Sequence, residues 1–190
     1  MIAQKIAWQE DEPYRGIPTL AYAQIFKQAF KNKVLVLLVG QGINEQWAGD
    51  DYYTHQNEPT IQSVSKSPFK TNVFSGSFLN KAEKPKYLKP FEEELLNKQY
   101  QDLLFTKIPS ALRFNDRISM DYSTELREPF LDYRLVEFAF SLPFDFKIKD
   151  GVPKFMLWEI GLEYLGNNLA FTPKRALHTN INSLEIYNAI

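Results

Sequence analysis

Leu20, Ala23, Ile25, Phe26, Ala29 and Phe30 recur at helical spacing and form one broad apolar face. Proline is tolerated at the first helical position, so the pattern predicts a helix from about Pro18 to Asn32, behind an acidic, proline-containing loop at Glu10 to Pro18. Val34 to Val39, VLVLLV, breaks the helical period with a continuous apolar, largely branched run. Such a run suits a strand covered on both faces, as in parallel sheets. It enters the turn Gly40-Gln41-Gly42, and the order helix, strand, glycine turn is one step of an α/β layer architecture.

Beyond that turn the pattern is mainly helical. Residues 54–90 are irregular and rich in Ser, Thr, Asn, Pro and Lys, which predicts a long excursion or functional loop. Helical periods return at Pro90 to Phe105, with Glu92 to Glu94 placed to complement a helix N-terminus, and at Ser110 to about Tyr122 after Pro109. A short proline turn precedes a helix from about Asp132 to Ser141, with Asp132 as the N-cap. Asp150-Gly151 marks a turn, and Lys154 to Leu165 reads as a last amphipathic helix ending near Gly166. Only one strand is clear. Val73 to Phe78 and Phe144 to Ile148 are weak candidates, neither resembling a parallel partner, so the chain reads as part of a larger α/β domain whose other strands lie upstream.

A length of 190 residues favours one domain, and 44% hydrophobic residues supply a core, which excludes disorder for the chain as a whole. Net charge is −1 with both signs interspersed, so no nucleic-acid groove is indicated, and the lysine-rich Lys81 to Lys89 reads as a solvated loop. The absence of cysteine removes disulfides, thiolate metal sites and cysteine nucleophiles, and the two histidines are far apart. No apolar run reaches membrane-spanning length and the N-terminus carries no signal-type segment, so a soluble cytoplasmic protein is expected.

Three segments carry candidate chemistry. Gly40-Gln41-Gly42-Ile43-Asn44-Glu45 sits at the C-terminal end of the strand, where glycines let backbone N–H groups approach a phosphate and a following helix N-terminus favours its charge. A glycine turn without a ligand has the same sequence. Arg113 to Pro143 packs Asp116, Arg117, Glu125, Arg127, Glu128, Asp132 and Arg134 into a short span, a composition that most often makes a helix pair fastened by ion pairs and caps. Lys174, in TPKRALHTN, is a compact charge able to neutralise a phosphate or developing oxyanion, or a solvated surface lysine.

In their order along the chain, these segments resemble the C-terminal synthetase domain of glutamine-hydrolysing asparagine synthetases. The resemblance covers about residues 8–178, leaving residues 179–190 unassigned. It rests on DEPYRGIPTLAYA (Asp11 to Ala23), on VLLVGQGINEQWAGDDYY, on TPKRALHT and above all on NDRISMDYSTELREPFLDYRLVEFAFSLP. It implies the mostly helical portion of an adenine-nucleotide alpha-hydrolase-like, pyrophosphate-loop synthetase domain. It also implies ATP and Mg²⁺ as cofactors, adenylation of the aspartate side chain, and displacement of AMP by ammonia to give asparagine. By the same resemblance, Val39, Gly40 and Gly42 lie beside the nucleotide phosphates and Gln41 stands where many members carry a glutamate supporting adenylate formation. Asn44 takes the place of a Mg²⁺-binding aspartate, and Lys174 that of the lysine at the phosphates.

The sequence departs from the family pattern in four respects. No S-G-G-x-D-S nucleotide loop occurs, no cysteine serves a glutaminase, Val39 replaces the usual serine or aspartate, and Asn44 offers an uncharged oxygen. The chain alone is therefore expected to be catalytically incompetent, a truncated synthetase. The alternatives are a subunit of a split synthetase, whose partner chain carries the glutaminase domain and nucleotide loop, and a non-catalytic helical interaction module.

Overall fold

The structure, a computed structural model, describes residues 2–12, 17–54, 74–81, 83 and 85–166. Three helices build its first core: α1 (Ile2–Glu10), α2 (Ile17–Lys31) and α7 (Lys107–Asp121). Ile6, Leu20, Ala23, Phe26 and Ile118 are buried together between them. The sequence pattern does not mark α1. Long-range packing holds it: Ile6 enters the core, and Lys5 and Gln9 donate to the Asp121 carboxylate at 2.5 and 2.6 Å. The α7 helix starts two residues before Pro109, which is tolerated because amides of the first turn have no intrahelical acceptor.

Strands β1 (Val36–Leu38) and β2 (Glu125–Arg127) form a parallel pair with Leu37 opposite Leu126. The parallel character of the Val34–Val39 run holds, but two expectations are corrected. A partner strand lies downstream, within the charged segment read as a proline turn. The expected two-sided burial is also absent: Leu37 and Leu126 pack on the first core, while Val36 and Leu38 are 39% and 72% exposed. The packed helices cover one face only, and the sheet pairing among the described residues stops at two strands.

Beyond the turn the chain is mainly helical: α6 (Glu94–Leu104), α8 (Tyr133–Ser141) and α10 (Phe155–Leu165) fall where the periodicity predicts helices, whereas α3 (Ile43–Gln46), α4 (Asp51–Thr54), α5 (Gly76–Leu79) and α9 (Phe144–Lys147) are single turns that it does not mark. The first turn predicted for α6 is missing because the Asn97 side chain pairs with the backbone N–H and C=O of Phe91, at 3.0 and 2.7 Å, holding that segment outside the helix. Asp132 caps α8 as expected, accepting from the Arg134 amide at 2.9 Å. Both weak strand candidates are mainly helical where described: Gly76–Leu79 is a single turn capped by Ser75, and Phe144–Lys147 is α9. Beyond α9, β3 (Ile148–Lys149) and β4 (Val152–Pro153) make a small antiparallel hairpin. Its turn, Asp150-Gly151, has φ of 52° and 76°, the left-handed pair that two-residue hairpins favour.

A second core joins Ala48, Tyr52, Tyr53, Leu95 and Ile148. Lys147 is buried beside it at 1% exposure, its ammonium donating to Gln99 Oε1 at 2.9 Å and lying 5.1 Å from the Phe140 ring centre. Burial pushes this group down to about 8 from 10.5, against an opposing pull from Glu93. The folded value lies below the unfolded one, so the charged form destabilises the fold below the folded value and that penalty fades as pH rises towards the unfolded one. Unfolding in urea is expected to show stability rising by on the order of 1 kcal/mol between about pH 8 and about pH 9.5. Lys147→Met is expected to flatten that rise, and an unchanged rise in the variant would assign it to other groups.

Candidate functional site

The carboxyl ends of β1 and β2 lie side by side, fixed by the Val39 amide donating to the Arg127 carbonyl at 3.0 Å. In open parallel sheets this end is where ligands bind, because loops leave the strands there with backbone groups unpaired. Val39 and Gln41 are half-buried and Gly40 is exposed. Gly42 is buried with φ 95°, a backbone that glycine adopts without strain.

The chain then enters α3, which is a single turn of four residues. This weakens one element of the sequence-based expectation, since a one-turn helix has little of the dipole that a long helix directs at an anion. The Ile43 amide also turns back to the Gly40 carbonyl at 3.4 Å. Phosphate recognition here would rest on the amides of the turn itself and on nearby cations.

Packing explains two of the glycines beyond the strand, Gly42 and Gly49. A Cβ on Gly42 would stand 2.4 Å from Leu131 Cδ2 and 2.9 Å from Gln46 Nε2. The turn is therefore seated directly on the 3-10 turn Pro129–Leu131. A Cβ on Gly49 would stand 2.4 Å from Asn44 Oδ1 and 2.9 Å from Lys154 Cδ. The Asn44 amide oxygen and the Lys154 stem thus share the space above Gly49. The Lys154 amide donates to the Trp47 carbonyl at 3.1 Å, tying the start of α10 to the end of α3.

A buried amide relay holds the site together. Lys147 donates to Gln99 Oε1, Gln99 Nε2 donates to the Gln46 carbonyl at 2.8 Å, and Gln46 Nε2 donates to the Phe130 carbonyl at 2.5 Å. Gln46 and Gln99 are both fully buried. These residues escape sequence reasoning: a neutral glutamine in a helical segment carries no sign of a partner 84 positions away. The available signal was Gln99 alone, which stands four residues from both Leu95 and Leu103 on the buried stripe of α6.

Behind the turn lies a second polar group. The buried Asp102 carboxylate accepts from Tyr52, from Tyr53 at 2.8 Å and from Thr106 at 2.7 Å. Lys107 pairs with Asp50 at 2.6 Å and sits 4.0 Å from the Tyr52 ring centre. Burial, with the adjacent Asp102 charge, pushes the Tyr52 phenol well up; burial, Tyr52 and Asp102 do the same for Tyr53. Both stay protonated and act as donors. Burial also raises the Glu45 carboxyl, opposed by a backbone hydrogen bond and reinforced by the charge of Asp50. This network fixes α3 and α4 and shows no arrangement of a catalytic pair.

The charged span Arg113 to Pro143 divides between the two expectations. Arg134 grips Asp132 at 2.9 and 2.8 Å, Arg127 meets Glu125 at 2.9 Å, and Arg117 meets Asp11 at 2.8 Å, so most of these charges are caps and ion pairs. Asp116 and Glu128 instead line a cleft of about 330 Å³ with Leu112, Arg113 and Leu126, between α7 and the end of β2. Burial and the Asp116 charge raise the Glu128 carboxyl. Among the described residues, no three of histidine, cysteine, aspartate and glutamate form a possible metal site. Lys174 lies outside the described residues.

A glycine turn at the carboxyl ends of paired parallel strands, flanked by helices, is consistent with an α/β fold. The family described as Asparagine synthase matches residues 2–188, and the chain belongs to that family, one of ATP-dependent synthetases. No curated protein and no solved structure matches it. No helix among the described residues is long and apolar enough to cross a membrane.

Gly42→Ala is expected to cost about 2 kcal/mol or more of stability, since it combines a positive φ with a clash on Leu131. Gly40→Ala, whose Cβ would meet only Ile43 Cδ1 at 3.1 Å among the described residues, is expected to cost less. Urea unfolding of the two variants checks this, and equal losses would count against the seating of the turn on Leu131.

Proposed function

We propose that this chain forms one wall of the nucleotide site of an ATP-dependent, amide-forming ligase, with aspartate as the carboxylate substrate. The observation that carries the proposal is the family match across residues 2–188 together with a glycine turn at the paired strand ends. In the proposed reaction the aspartate side-chain oxygen bonds to the α-phosphorus of ATP, and the bond to pyrophosphate breaks. Ammonia then bonds to the acyl carbon and AMP leaves with the electron pair of the acyl–oxygen bond. The products are asparagine, AMP and pyrophosphate.

The roles proposed for individual residues come from the family resemblance, and their chemistry bears on each. Backbone amides of Val39 to Gly42 are suited to approach phosphate oxygens, as Gly40 is exposed and carries no side chain. Gln41 would orient the reacting carboxylate as a hydrogen-bond donor and acceptor without taking a proton. Lys174 would offset charge on the phosphates. Asn44 fits Mg²⁺ poorly, because it presents one uncharged oxygen where this ion usually takes one or two carboxylates beside phosphate.

The S-G-G-x-D-S loop does not occur in these residues, so the second wall of the site must be supplied by further polypeptide. A split ligase, in which another chain brings that loop and a glutaminase, accounts for the missing groups. ATP–pyrophosphate exchange with aspartate and Mg²⁺ tests the proposal. These 190 residues alone are expected to give no exchange, and addition of a polypeptide carrying the loop is expected to restore it. In the restored pair, Asn44→Asp is expected to lower the Mg²⁺ concentration at half-maximal exchange several-fold, about three- to tenfold, by adding a charged oxygen. Robust exchange by the isolated chain would sink the two-wall proposal, and an unaltered Mg²⁺ dependence would remove Asn44 from the metal position.

A further inference from the structure

Of the three consecutive carboxylates that open the acidic loop, Glu10, Asp11 and Glu12, two have a partner. Arg117 of α7 donates to Asp11 at 2.8 Å, and Arg113, four residues earlier on α7, donates to Glu12. Glu10, the last residue of α1, is the most deeply placed of the three, at 1% exposure. Among the described residues neither of its carboxyl oxygens has a hydrogen-bond partner. A buried carboxylate without such a partner is costly, and the protonated carboxyl is much less so. Three acids thus face two bases, and the acid left over is the one that water does not reach.

The helices packed around Glu10 bring no further cation to it among the described residues. The α2 helix carries no charged residue from Ile17 to Phe26, and Tyr22, the titratable group there, packs on the core around Ile6. On α1, Lys5 is taken by Asp121 of α7. Elsewhere on α7, Lys107 pairs with Asp50, and Asp116 lines the cleft with Glu128. Burial raises the Glu10 carboxyl above its ordinary value, opposed by the charges of Arg117 and Arg113 and reinforced by that of Glu12. Arg117 is already at the end of α1: its Nη1 also donates to the carbonyl of Gln9, the residue before Glu10, at 3.1 Å.

We propose that this corner is a proton-operated latch between α1 and α7. With Glu10 protonated, Arg117 and Arg113 rest on Asp11 and Glu12. When Glu10 releases its proton to solvent, its carboxylate competes for the guanidinium of Arg117, and Asp11 loses that partner. Asp11 is suited to such an exchange. Its side chain is 81% exposed, so water can take over its hydrogen bonds, and its φ of 56° is a left-handed backbone that costs a non-glycine residue energy. Because Arg113, the partner of Glu12, also lines the cleft beside Asp116, the latch and the cleft share a wall. The inference concerns α1 and α7 alone and stands or falls independently of the ligase chemistry.

A pH titration of the whole chain tests this, followed by NMR at the carbon-13-labelled Glu10 carboxyl and at the Arg117 Nε–Hε group. Glu10 is expected to titrate above the ordinary glutamate value, and the Arg117 resonance to shift with the same midpoint. In Glu10→Gln, which keeps the volume and removes the charge, the Arg117 shift at that midpoint is expected to vanish. The folded state favours the protonated carboxyl, so stability present below the ordinary value is lost as pH rises through the folded one. The urea midpoint of the unsubstituted chain is therefore expected to fall across that interval relative to Glu10→Gln. A Glu10 midpoint at or below the ordinary value overturns the proposal, as does an Arg117 resonance that ignores it. An Arg117 shift that survives in Glu10→Gln assigns the titration to Asp11 and overturns it equally. The two readings on the unsubstituted chain decide the matter even where the variant does not fold.

Discussion

The parallel register of Leu37 with Leu126 is the constraint on which the rest depends. It joins two three-residue strands from distant parts of the chain, each too short to persist alone. Because side chains alternate between faces, this register puts Leu37 and Leu126 together on the first core. A slip of one residue would bury Val36 or Leu38 and turn Leu37 to solvent. The same register sets the glycine turn beside the segment leaving β2, so the geometry of the candidate site is a consequence of how the strands align.

Polar atoms then complete what the strands begin. The apolar contacts of the two cores are non-directional and hold the helices close without fixing the turn to a fraction of an ångström. The relay Lys147–Gln99–Gln46–Phe130 supplies directional bonds across α9, α6, α3 and the 3-10 turn. In a buried setting each such bond is costly to leave unmade, so the network resists sliding of any one element. Its far end is a lysine, a costly group to bury, held by its bond to Gln99 and its place against the Phe140 ring.

The local elements were legible in the sequence where a helix buries an apolar stripe, as in α2, where a cap fixes its start, as Asp132 does for α8, or where a turn demands particular residues, as at Asp150-Gly151. The family was legible from DRISM to PFLD because that stretch is long and specific. The strand β2 was hidden because Glu-Leu-Arg offers a single apolar residue between two charges, and only its distant partner makes it a strand. The exposure of β1 was hidden for the converse reason: an apolar run states what its side chains prefer, whereas what covers them depends on polypeptide that the run cannot specify. At the site, Gly40 and Gly42 were visible as glycines, but the reason for Gly42, the Leu131 side chain beneath it, required the fold.

That contact makes the glycine turn and the 3-10 turn one mechanical body. Leu131 occupies the volume where a side chain on residue 42 would be, so neither can shift without the other. From Leu131 the body continues through the Asp132 cap into α8, where Phe138 meets the buried Trp47 at 6.3 Å between ring centres. Trp47 itself follows α3 directly. The buried Trp47 indole and the glycine turn thus stand at the two ends of one packed segment, joined through α8 on one side and α3 on the other.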